Sequence, residues 1–370
     1  METREIRGIQ TSLLGFGCMR FPLNEEGGID RARSLGMLDA AYDAGVRYYD
    51  TAYPYHNGES ERVLGEWLRT KRREDVLVAT KLPLWKADSE QMFRDIFAEQ
   101  QEKLGTDYFD FYLMHAVDAE RFETVKKINA FAVLDELKAA GKIRRAGFSF
   151  HDSYEVFEQV LNAYDWDFCQ LQINYMDRDI QAGLRGVELA KSKGIPVIVM
   201  EPVKGGYLAN PPAEVRAVFD SLHPEWSAAS WALRWVASVD NVAVILSGMS
   251  DEQQVADNLA TFAHTAPLTD EEQAAVAEAA RLYRARTRVP CTGCRYCMPC
   301  PAGVDIPGVF RIWNEGGLYG DEEALKQYRL RMDEKSRADV CVACGKCASV
   351  CPQHIDVPEM MKQAAAWANE

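Results

Sequence analysis

Short apolar runs alternate with longer amphipathic stretches between about residues 13 and 262. The apolar runs are nearly continuous, which is typical of strands in a parallel sheet that is covered on both faces. The eight strands that they predict lie at 13–17, 46–50, 76–80, 108–114, 144–149, 167–171, 195–200 and 243–246. A helical pattern follows each strand, at about 30–44, 59–70, 88–103, 120–140, 152–163, 179–193, 225–238 and 251–262.

Eight β–α units of this length predict an α/β protein with a (β/α)8 TIM barrel. A doubly wound open sheet is the alternative, but no G-x-G-x-x-G follows a predicted strand and opens a helix. A further alanine-rich helix is predicted at 270–287, and the composition changes abruptly at Pro290. We therefore predict a barrel over residues 1–288 and a small, mainly α-helical domain over residues 289–370.

The C-terminal part carries a pattern twice, as CPAGVDIP at 300–307 and CPQHIDVP at 351–358. Eight of the ten cysteines lie here, in runs that begin at Cys291 and Cys341. The second run is the C-x2-C-x2-C-x3-C-P pattern of [4Fe–4S] ligation, in which the fourth cysteine ligates the other cluster. The repeat therefore predicts a ferredoxin-like domain with two [4Fe–4S] clusters.

The pattern assigns four cysteines to each cluster. One set is Cys291, Cys294, Cys297 and Cys351, and the other is Cys341, Cys344, Cys347 and Cys300. Only two residues, not three, separate Cys297 from Cys300 in the first run, so the spacing of the fourth cysteine departs from the pattern. Zinc is the alternative, since two C-x2-C pairs can bind it tetrahedrally. However, zinc pairs usually lie further apart in sequence and need no Cys-Pro.

The composition argues against several classes of partner and of protein. A net charge of −14 argues against nucleic acid or an anionic membrane surface as the main partner. Hydrophobic residues make up 47% of the chain, which is typical of a globular protein. We find neither a signal peptide pattern nor an uncharged apolar stretch of about 18 residues, so we expect a cytoplasmic protein without a membrane span.

Four side chains suited to acid–base chemistry follow the predicted strands. Asp50 ends the second strand, and Tyr55 lies in the loop after it. Lys81 and His115 end the third and fourth strands. In a TIM barrel these positions converge on the C-terminal face, where the chemistry of this fold takes place. Each residue by itself is more often structural, but their joint placement predicts a catalytic site.

The four groups suit the reduction of a carbonyl compound by hydride addition and proton transfer. The Lys81 ammonium is expected to lower the pKa of the Tyr55 phenol, which makes the phenol a usable proton donor. Asp50 is expected to pair with Lys81 and keep it charged. Neutral His115 can donate a hydrogen bond to the substrate oxygen and stabilise the developing negative charge.

The segment GVRYYDTAYPYHNGESERVLGEWL at 45–68, with these strand positions, resembles the aldo-keto reductases over about residues 1–285. The resemblance implies a catalytic tetrad of Asp50, Tyr55, Lys81 and His115. It also implies a nicotinamide cofactor, NADH or NADPH, that binds across the barrel mouth without a Rossmann domain. Four side chains in loops at this face either contact the substrate, which would indicate an apolar or aromatic carbonyl compound, or pack at the top of the barrel; they are Met19, Phe21, Tyr53 and Trp85.

The resemblance implies further residues that bind the cofactor. Ser149 and Gln170 match the family's carboxamide ligands, although Phe150 stands where the family often has Asn. Met200 stands where an aromatic residue often stacks on the nicotinamide. The segment VMEPVKGGYL, which contains Met200, is similar to the family's phosphate-facing loop, where glycine lets backbone N–H groups approach an anion. This loop contributes Pro202, Val203 and Gly205.

After the eighth strand, Asp257 and Asn258 match the family's contacts on the adenine side. Family members that prefer NADPH usually have Lys and Arg where this chain has Gly248 and Gln254. Recognition of the 2′-phosphate normally requires fixed cations. We therefore expect NADH use, or weak discrimination between the two nucleotides.

The two predicted modules leave three hypotheses for the clusters. In the first, which we favour, the chain is a carbonyl reductase whose clusters are structural or sense redox conditions. In the second, the chain transfers electrons between NAD(H) and a ferredoxin-like partner. In the third, the clusters deliver electrons to a bound substrate that need not be a carbonyl compound.

Overall fold

The computed structural model describes residues 1–291, 293, 297–351 and 353–370. Within this described chain, eight parallel strands close into a barrel, because the last strand pairs with the first. The barrel strands are β3 (Leu14–Gly17), β4 (Tyr48–Asp50), β5 (Leu77–Pro83), β6 (Phe109–Val117), β7 (Ile143–Phe150), β8 (Phe168–Gln172), β9 (Val197–Met200) and β10 (Val242–Gly248). The closure confirms the predicted TIM barrel and excludes the open-sheet alternative.

Helices follow the barrel strands in the order that the sequence predicts, with one addition, α8, for which the sequence predicted no helix. They are α1 (Arg31–Asp43), α2 (Glu59–Leu68), α3 (Glu90–Leu104), α4 (Ala119–Lys127), α5 (Ala130–Ala139), α6 (Tyr154–Asn162), α7 (Gly183–Ser192), α8 (Ala213–Asp220), α9 (Ala228–Ala237), α10 (Glu252–Ala263) and α11 (Asp270–Arg286). Several begin at a side-chain cap, as Ser89 accepts a hydrogen bond from the Met92 backbone at the start of α3.

The helix predicted at 120–140 is two helices, α4 and α5. Asn129 lies between them with a φ of +53°, in the left-handed region that interrupts a helix. Asparagine is one of the few residues with a side chain that adopts this conformation readily, and the hydrophobic pattern continues across it. The periodicity therefore predicted one helix where the backbone turns.

An antiparallel hairpin that the sequence pattern did not predict precedes the barrel. Its strands are β1 (Thr3–Ile6) and β2 (Ile9–Ser12). Ile6 and Ile9 belong to the same buried cluster as Tyr48, Phe111 and Phe168 from the barrel strands. The hairpin thus adds apolar side chains to the core inside the barrel.

The chain forms two compact units. The first comprises residues 1–211 and 219–276, and the second comprises residues 212–218 and 277–370. The second half of α11 therefore groups with the second unit. The division at residue 288 that the composition suggested stays a prediction.

The second unit is mainly helical, with α12 (Ile306–Tyr319), α13 (Asp321–Arg331), α14 (Lys346–Ser349) and α15 (Val357–Ala368). The repeated sequence has a repeated structural role, because Asp305 and Asp356 each stand at the start of a helix, α12 and α15. A proline follows within the first turn of both helices, where its missing N–H costs nothing. A buried core that includes Phe310, Trp313 and Met361 holds the unit together.

Among the described residues, none of the helices has the length and apolar character needed to cross a membrane.

Two helical glycines allow a test of the packing of α2 against α3. A Cβ atom on Gly65 would overlap the Lys103 carbonyl oxygen and lie 2.8 Å from Leu104 Cα, whereas one on Gly36 would meet no atom within 4 Å. We expect Gly65→Ala to lower the free energy of unfolding by about 2–3 kcal/mol, because backbone must move. Gly36→Ala is the control and should raise it by about 0.5–1 kcal/mol, since alanine favours the helix. Chemical denaturation of the full chain measures both, and equal midpoints for the two variants would contradict this packing.

Candidate active site

A layer of polar side chains lies above the barrel core at the carboxyl ends of the strands. Successive side chains in a strand point to opposite faces, so a residue two positions after a core residue points the same way. Tyr48, on β4, is buried in the core, and Asp50 follows it by two positions. Lys81 follows Ala79 in the same way on β5, and His115 follows Leu113 on β6. The alternation within each strand therefore directs these side chains into the barrel mouth.

Tyr55 reaches the same place through a left-handed turn after β4. His56, Asn57 and Gly58 all have positive φ, at +50°, +56° and +92°, and α2 begins directly after them. The Tyr55 backbone N–H donates to Ala52 O at 3.1 Å. This turn places the Tyr55 hydroxyl 3.4 Å from Lys81 Nζ.

The Lys81 ammonium is the hub of the site and has no exposed surface. It donates to Asp50 Oδ1 at 2.5 Å and to the Thr51 carbonyl oxygen at 2.7 Å. Its third neighbour is the Tyr55 hydroxyl. An ammonium group has three N–H bonds, so these three oxygens satisfy it completely.

The opposite charges of Lys81 and Asp50 stabilise each other. Burial works to lower the pKa of Lys81, but Asp50 and Tyr55 outweigh it, and the pKa lies above its usual value. Burial likewise raises the pKa of Asp50, while Lys81 opposes the rise. Lys81 is therefore a cation throughout the neutral pH range, as the sequence led us to expect.

The pKa of Tyr55 differs from the expectation. Burial, together with the nearby charge of Asp50, raises the pKa above its ordinary value, although the Lys81 charge and hydrogen bond lower it. The predicted net decrease is wrong for this arrangement, although Lys81 acts in the predicted direction. Tyr55 is consequently a protonated phenol at neutral pH, with a cation beside its oxygen.

His115 completes the group. Its ring lies edge-on to the Tyr55 ring, with centroids 5.9 Å apart, and 5.2 Å from the Trp85 ring. Burial, and then the nearby charge of Lys81, lower its pKa well below the usual value, so the imidazole is neutral. Its Nδ1 atom is buried and has no hydrogen-bond partner among the described residues. A neutral ring with an unused nitrogen can bind a substrate oxygen.

A buried hydrogen-bond network that the sequence analysis missed contacts the backbone of Lys81. Glu61 Oε1 accepts hydrogen bonds from Thr80 Oγ1 at 2.6 Å and Gln100 Nε2 at 2.8 Å. Gln100 Nε2 also lies 3.1 Å from the Lys81 carbonyl oxygen. The sequence contains an indication of this network, because Glu61 lies three positions before Leu64 and therefore on the same, buried face of α2.

Three of the predicted cofactor ligands lie in the same polar layer. Ser149 is buried, and its Oγ accepts the Ala116 backbone N–H at 2.8 Å. Gln170 Nε2 lies 3.5 Å from the Met200 sulfur. Gln170 Oε1 is buried and has no partner within the described chain. An unpaired buried oxygen is costly, so a donor from a bound molecule fits this position.

The loop after β9 contains the predicted Pro202, Val203 and Gly205. Its backbone includes left-handed residues, with φ of +50° at Lys204 and +65° at Gly205. Such turns expose successive N–H groups to an anion. The Lys204 ammonium is paired with both carboxylate oxygens of Asp177, at 2.6 and 2.5 Å.

The predicted adenine-side residues make contacts within the chain. Gln254 Nε2 donates to Asp251 Oδ2 at 2.8 Å, at the start of α10. Asp257 Oδ2 accepts from Ser227 Oγ at 2.6 Å, and buried Asn258 donates to Ser247 Oγ at 2.8 Å. Gly248 is the last residue of β10. The structure thus places these four residues on one βα connection.

Cysteines from both runs meet in the second unit. One cavity has four cysteines in its lining, Cys300, Cys341, Cys344 and Cys347, which are the set that the spacing assigned to one cluster. Burial, and then the nearness of Cys341 and Cys300, raise the pKa of Cys347. No three His, Cys, Asp or Glu side chains of the described ranges converge as a single metal ion requires. The donor set of this cavity is four thiols, the ligands that [4Fe–4S] clusters use.

The other predicted set is described in part. Cys291, Cys297 and Cys351 pack, partly buried, against the hydrophobic core of the second unit. Cys294 lies outside the described residues. The two remaining cysteines, Cys18 and Cys169, are fully buried in the first unit.

Comparisons with known proteins agree with both units. Residues 13–281 match the model of the aldo/keto reductase family, and residues 290–355 match that of a 4Fe-4S dicluster domain. The NADH-specific methylglyoxal reductase of Escherichia coli (strain K12) is 28% identical over 280 residues, covering 64% of this chain and 84% of that protein. Methylglyoxal reductase YeaE of the same strain is 30% identical over 223 residues, covering 58% of this chain and 74% of that protein.

Solved structures show the same fold. Aldo-keto reductase AKR11C1 from Bacillus halodurans, in its holo form, aligns with a TM-score of 0.63 at 27% identity. The alignment covers 75% of this chain and 96% of that one. The thermostable aldo-keto reductase Tm1743 has the same TM-score at 20% identity, over 75% of this chain and 100% of its own, which is a likeness of fold. The chain is an oxidoreductase that belongs to the aldo/keto reductase family and carries a C-terminal 4Fe-4S dicluster domain.

Proposed function

We propose that the chain reduces an aldehyde or ketone with NAD(P)H, with Tyr55 as the proton donor. The observation that carries this proposal is the buried Lys81 ammonium, held by Asp50 at 2.5 Å and lying 3.4 Å from the Tyr55 hydroxyl. The unused nitrogen of His115 lies beside them. A protonated phenol, a fixed cation and a neutral donor are the groups that a carbonyl oxygen needs as it becomes an alcohol.

Each residue has one role in this reaction. A nicotinamide, when bound, would supply the hydride for the carbonyl carbon. His115 donates a hydrogen bond that orients the carbonyl oxygen. Tyr55 gives its proton to that oxygen, and Lys81 stabilises the phenolate charge that the transfer leaves. Asp50 holds the ammonium in place.

The residues at the barrel mouth fit a nicotinamide cofactor. Gln170 Oε1 is buried and has no acceptor bond within the described chain, so it suits the amide N–H of a carboxamide. Ser149 lies on the adjacent strand, in register with Gln170. Loop residues Pro202, Val203 and Gly205 would face the phosphates, and Gly248, Gln254, Asp257 and Asn258 the adenosine. The thioether of Met200 would pack on the nicotinamide ring.

NADH is the nucleotide that we favour. Asp251 and Glu252 are acidic residues at the start of α10, close in sequence to Gln254, and Arg33 is paired with Glu252 at 2.7 Å. A 2′-phosphate would meet carboxylates there rather than a free cation. The similarity to a reductase named as NADH-specific supports the same choice.

The substrate that we propose is a small carbonyl compound. Trp85 and Met19 are about half exposed, at 49% and 54%, and Trp85 lies against His115. Exposed apolar side chains beside a polar site are typical of a ligand pocket. Two of the similar proteins are named as methylglyoxal reductases, so methylglyoxal is the first compound to assay.

The second unit, in this proposal, holds two [4Fe–4S] clusters that are structural or sense redox conditions. Cys341, Cys344, Cys347 and Cys300 would hold one, and Cys291, Cys294, Cys297 and Cys351 the other. Each would supply one-electron chemistry when bound, which hydride transfer does not use. We propose a reducing compartment such as the cytoplasm, because Cys300, Cys341, Cys344 and Cys347 are free thiols in the same unit.

Substitution of Tyr55 tests the proton donor. We expect Tyr55→Phe to lower kcat for methylglyoxal by about 100- to 10,000-fold, because general acid catalysis contributes a factor of this size. The affinity for NADH should stay within about twofold, since the hydroxyl is assigned no cofactor contact. Tyr53→Phe is the matched control, because Tyr53 lies in the same loop, and its hydroxyl, which the sequence led us to consider for the substrate pocket, instead donates to Glu99 of α3 at 2.8 Å.

Steady-state kinetics of the anaerobically purified full chain make this comparison. Tyr53→Phe should keep most of the wild-type kcat. A Tyr55→Phe variant with wild-type turnover would contradict the role of Tyr55, even if NADH binds.

Iron and sulfide analysis tests the clusters. We expect about eight irons and eight sulfides per wild-type chain, and about half of each in Cys344→Ser, which removes a ligand of one cluster. Cys169→Ala, a buried cysteine of the barrel, is the control and should keep the full content. Bound zinc in place of iron would contradict the assignment.

The same sample distinguishes the roles of the clusters. Under anaerobic conditions, NADH without substrate should leave the visible absorbance of the clusters unchanged. Bleaching would contradict a structural role and favour electron transfer.

A further inference from the structure

A buried carboxylate, Glu61, lies between the two elements that bring Lys81 and Tyr55 together. It belongs to α2, which begins directly after the turn that follows Tyr55, and it has no exposed surface. The proposed hydride and proton transfers give it no role. A buried ion pair is also weak evidence for stability, because apolar side chains of similar volume often replace such pairs without loss. The contacts of Glu61 indicate what it does instead.

One oxygen of Glu61 is connected to the backbone of Lys81. Thr80 Oγ1 donates to Glu61 Oε1 at 2.6 Å, and Gln100 Nε2 donates to the same oxygen at 2.8 Å. Gln100 Nε2 also lies 3.1 Å from the Lys81 carbonyl oxygen, and Gln100 Oε1 accepts the Tyr112 hydroxyl at 2.8 Å. Successive side chains of β5 point to opposite faces, so Thr80 points to the helices and Lys81 into the barrel mouth. The carboxylate therefore restrains the strand that carries Lys81 from the side opposite its ammonium.

The other oxygen of Glu61 faces Lys103, next to the turn that follows Tyr55. The Lys103 ammonium lies 3.7 Å from Glu61 Oε2, which is buried and has no hydrogen bond in the part of the chain that is described. A Cβ atom on Gly58, the last left-handed residue of the turn, would lie 3.8 Å from Lys103 Nζ. Gln100 and Lys103 are three positions apart on α3, so one face of this helix contacts both carboxylate oxygens. Glu61 thus contacts both the β5 network and the cation beside the turn.

We propose that Glu61 is a positioning residue that sets the distance between Lys81 Nζ and the Tyr55 hydroxyl, an inference that rests on the proposed function. These two atoms are 3.4 Å apart, slightly more than in a typical hydrogen bond, so a further displacement of either element breaks the contact. Glu61 itself contacts neither substrate nor cofactor in this proposal. It acts through its hydrogen bonds on β5, and through Lys103 on the turn.

Kinetics of Glu61→Leu test the proposal, because leucine fills the site without a hydrogen-bonding group. We expect kcat for methylglyoxal to fall about 10- to 100-fold, since a misplacement of about 1 Å in an active site can cost this much. The dissociation constant for NADH should not change, because the cofactor residues lie on other strands. Glu61→Gln should recover most of the lost kcat, since it keeps an oxygen that accepts from Thr80 and loses only the charge that faces Lys103.

A second variant of the network, Gln100→Leu, should lower kcat in the same way. The double variant with Glu61→Leu should lose no more than the more affected single variant, because both residues act through one network. Leu64→Ala is the control for a loss of stability, since Leu64 shares the buried face of α2 and has no hydrogen-bonding side chain. It should lower the denaturation midpoint and keep the wild-type kcat, because it leaves a cavity but breaks no bond to β5.

Steady-state kinetics and NADH titration of the full chain, well below each denaturation midpoint, make these comparisons. A folded Glu61→Leu variant with wild-type kcat would overturn the inference and leave the proposed function standing. Equal losses of kcat in Glu61→Leu and Leu64→Ala would also overturn it, in favour of a purely structural role. If Glu61→Leu does not fold, wild-type kcat in Gln100→Leu would overturn the inference. Failure of the wild type to reduce any carbonyl compound would contradict both proposals.

Discussion

The burial of one charge, the Lys81 ammonium, is the constraint on which the active site depends. A cation without access to water is tolerated only when its partners satisfy it, and removing one partner of a buried pair typically costs about 3–5 kcal/mol. Asp50, the Thr51 carbonyl and the Tyr55 hydroxyl are those partners. They come from β4 and its loop, whereas Lys81 comes from β5. Satisfying the charge therefore fixes these elements and the phenol together, and the Tyr55 hydroxyl is oriented by a stability requirement.

Much of this arrangement is readable in the sequence because a strand has a fixed period of two. Once the eight apolar runs are placed, Asp50, Lys81 and His115 come at the carboxyl ends of three consecutive barrel strands, and the structure brings them together around Tyr55 at the barrel mouth. The pairing of the Cys-Pro repeats is readable for a similar reason, since local spacing determines which thiols can surround one cavity. The features that the sequence did not reveal are of two kinds: a pKa that opposing effects determine, and a contact between residues that are far apart in the sequence. Burial raises the pKa of Tyr55, whereas the charge of Lys81 lowers it. The side chain of Arg20 lies close to Gly205 at the barrel mouth.

The chemistries that we propose for the two units differ in the number of electrons transferred. A hydride carries two electrons to the substrate and the proton carries none, whereas [4Fe–4S] clusters exchange single electrons. Within the described chain, six of the eight cysteines of the two runs pack against the hydrophobic core of the second unit, with Asp305 and Asp356 starting equivalent helices. Our proposal gives the clusters of this unit a structural or sensing role.

The most direct test of the account is the rate of a single turnover in an Asp50→Asn, Lys81→Met double variant. The double variant removes both charges, so neither remains buried without a partner. With NADH bound and methylglyoxal added, we expect the rate of NADH oxidation to fall at least about 100-fold, because the phenol loses its cation. The affinity for NADH should stay close to that of the wild type. A single-turnover rate near the wild-type value would contradict the central claim that the buried ammonium makes Tyr55 the proton donor.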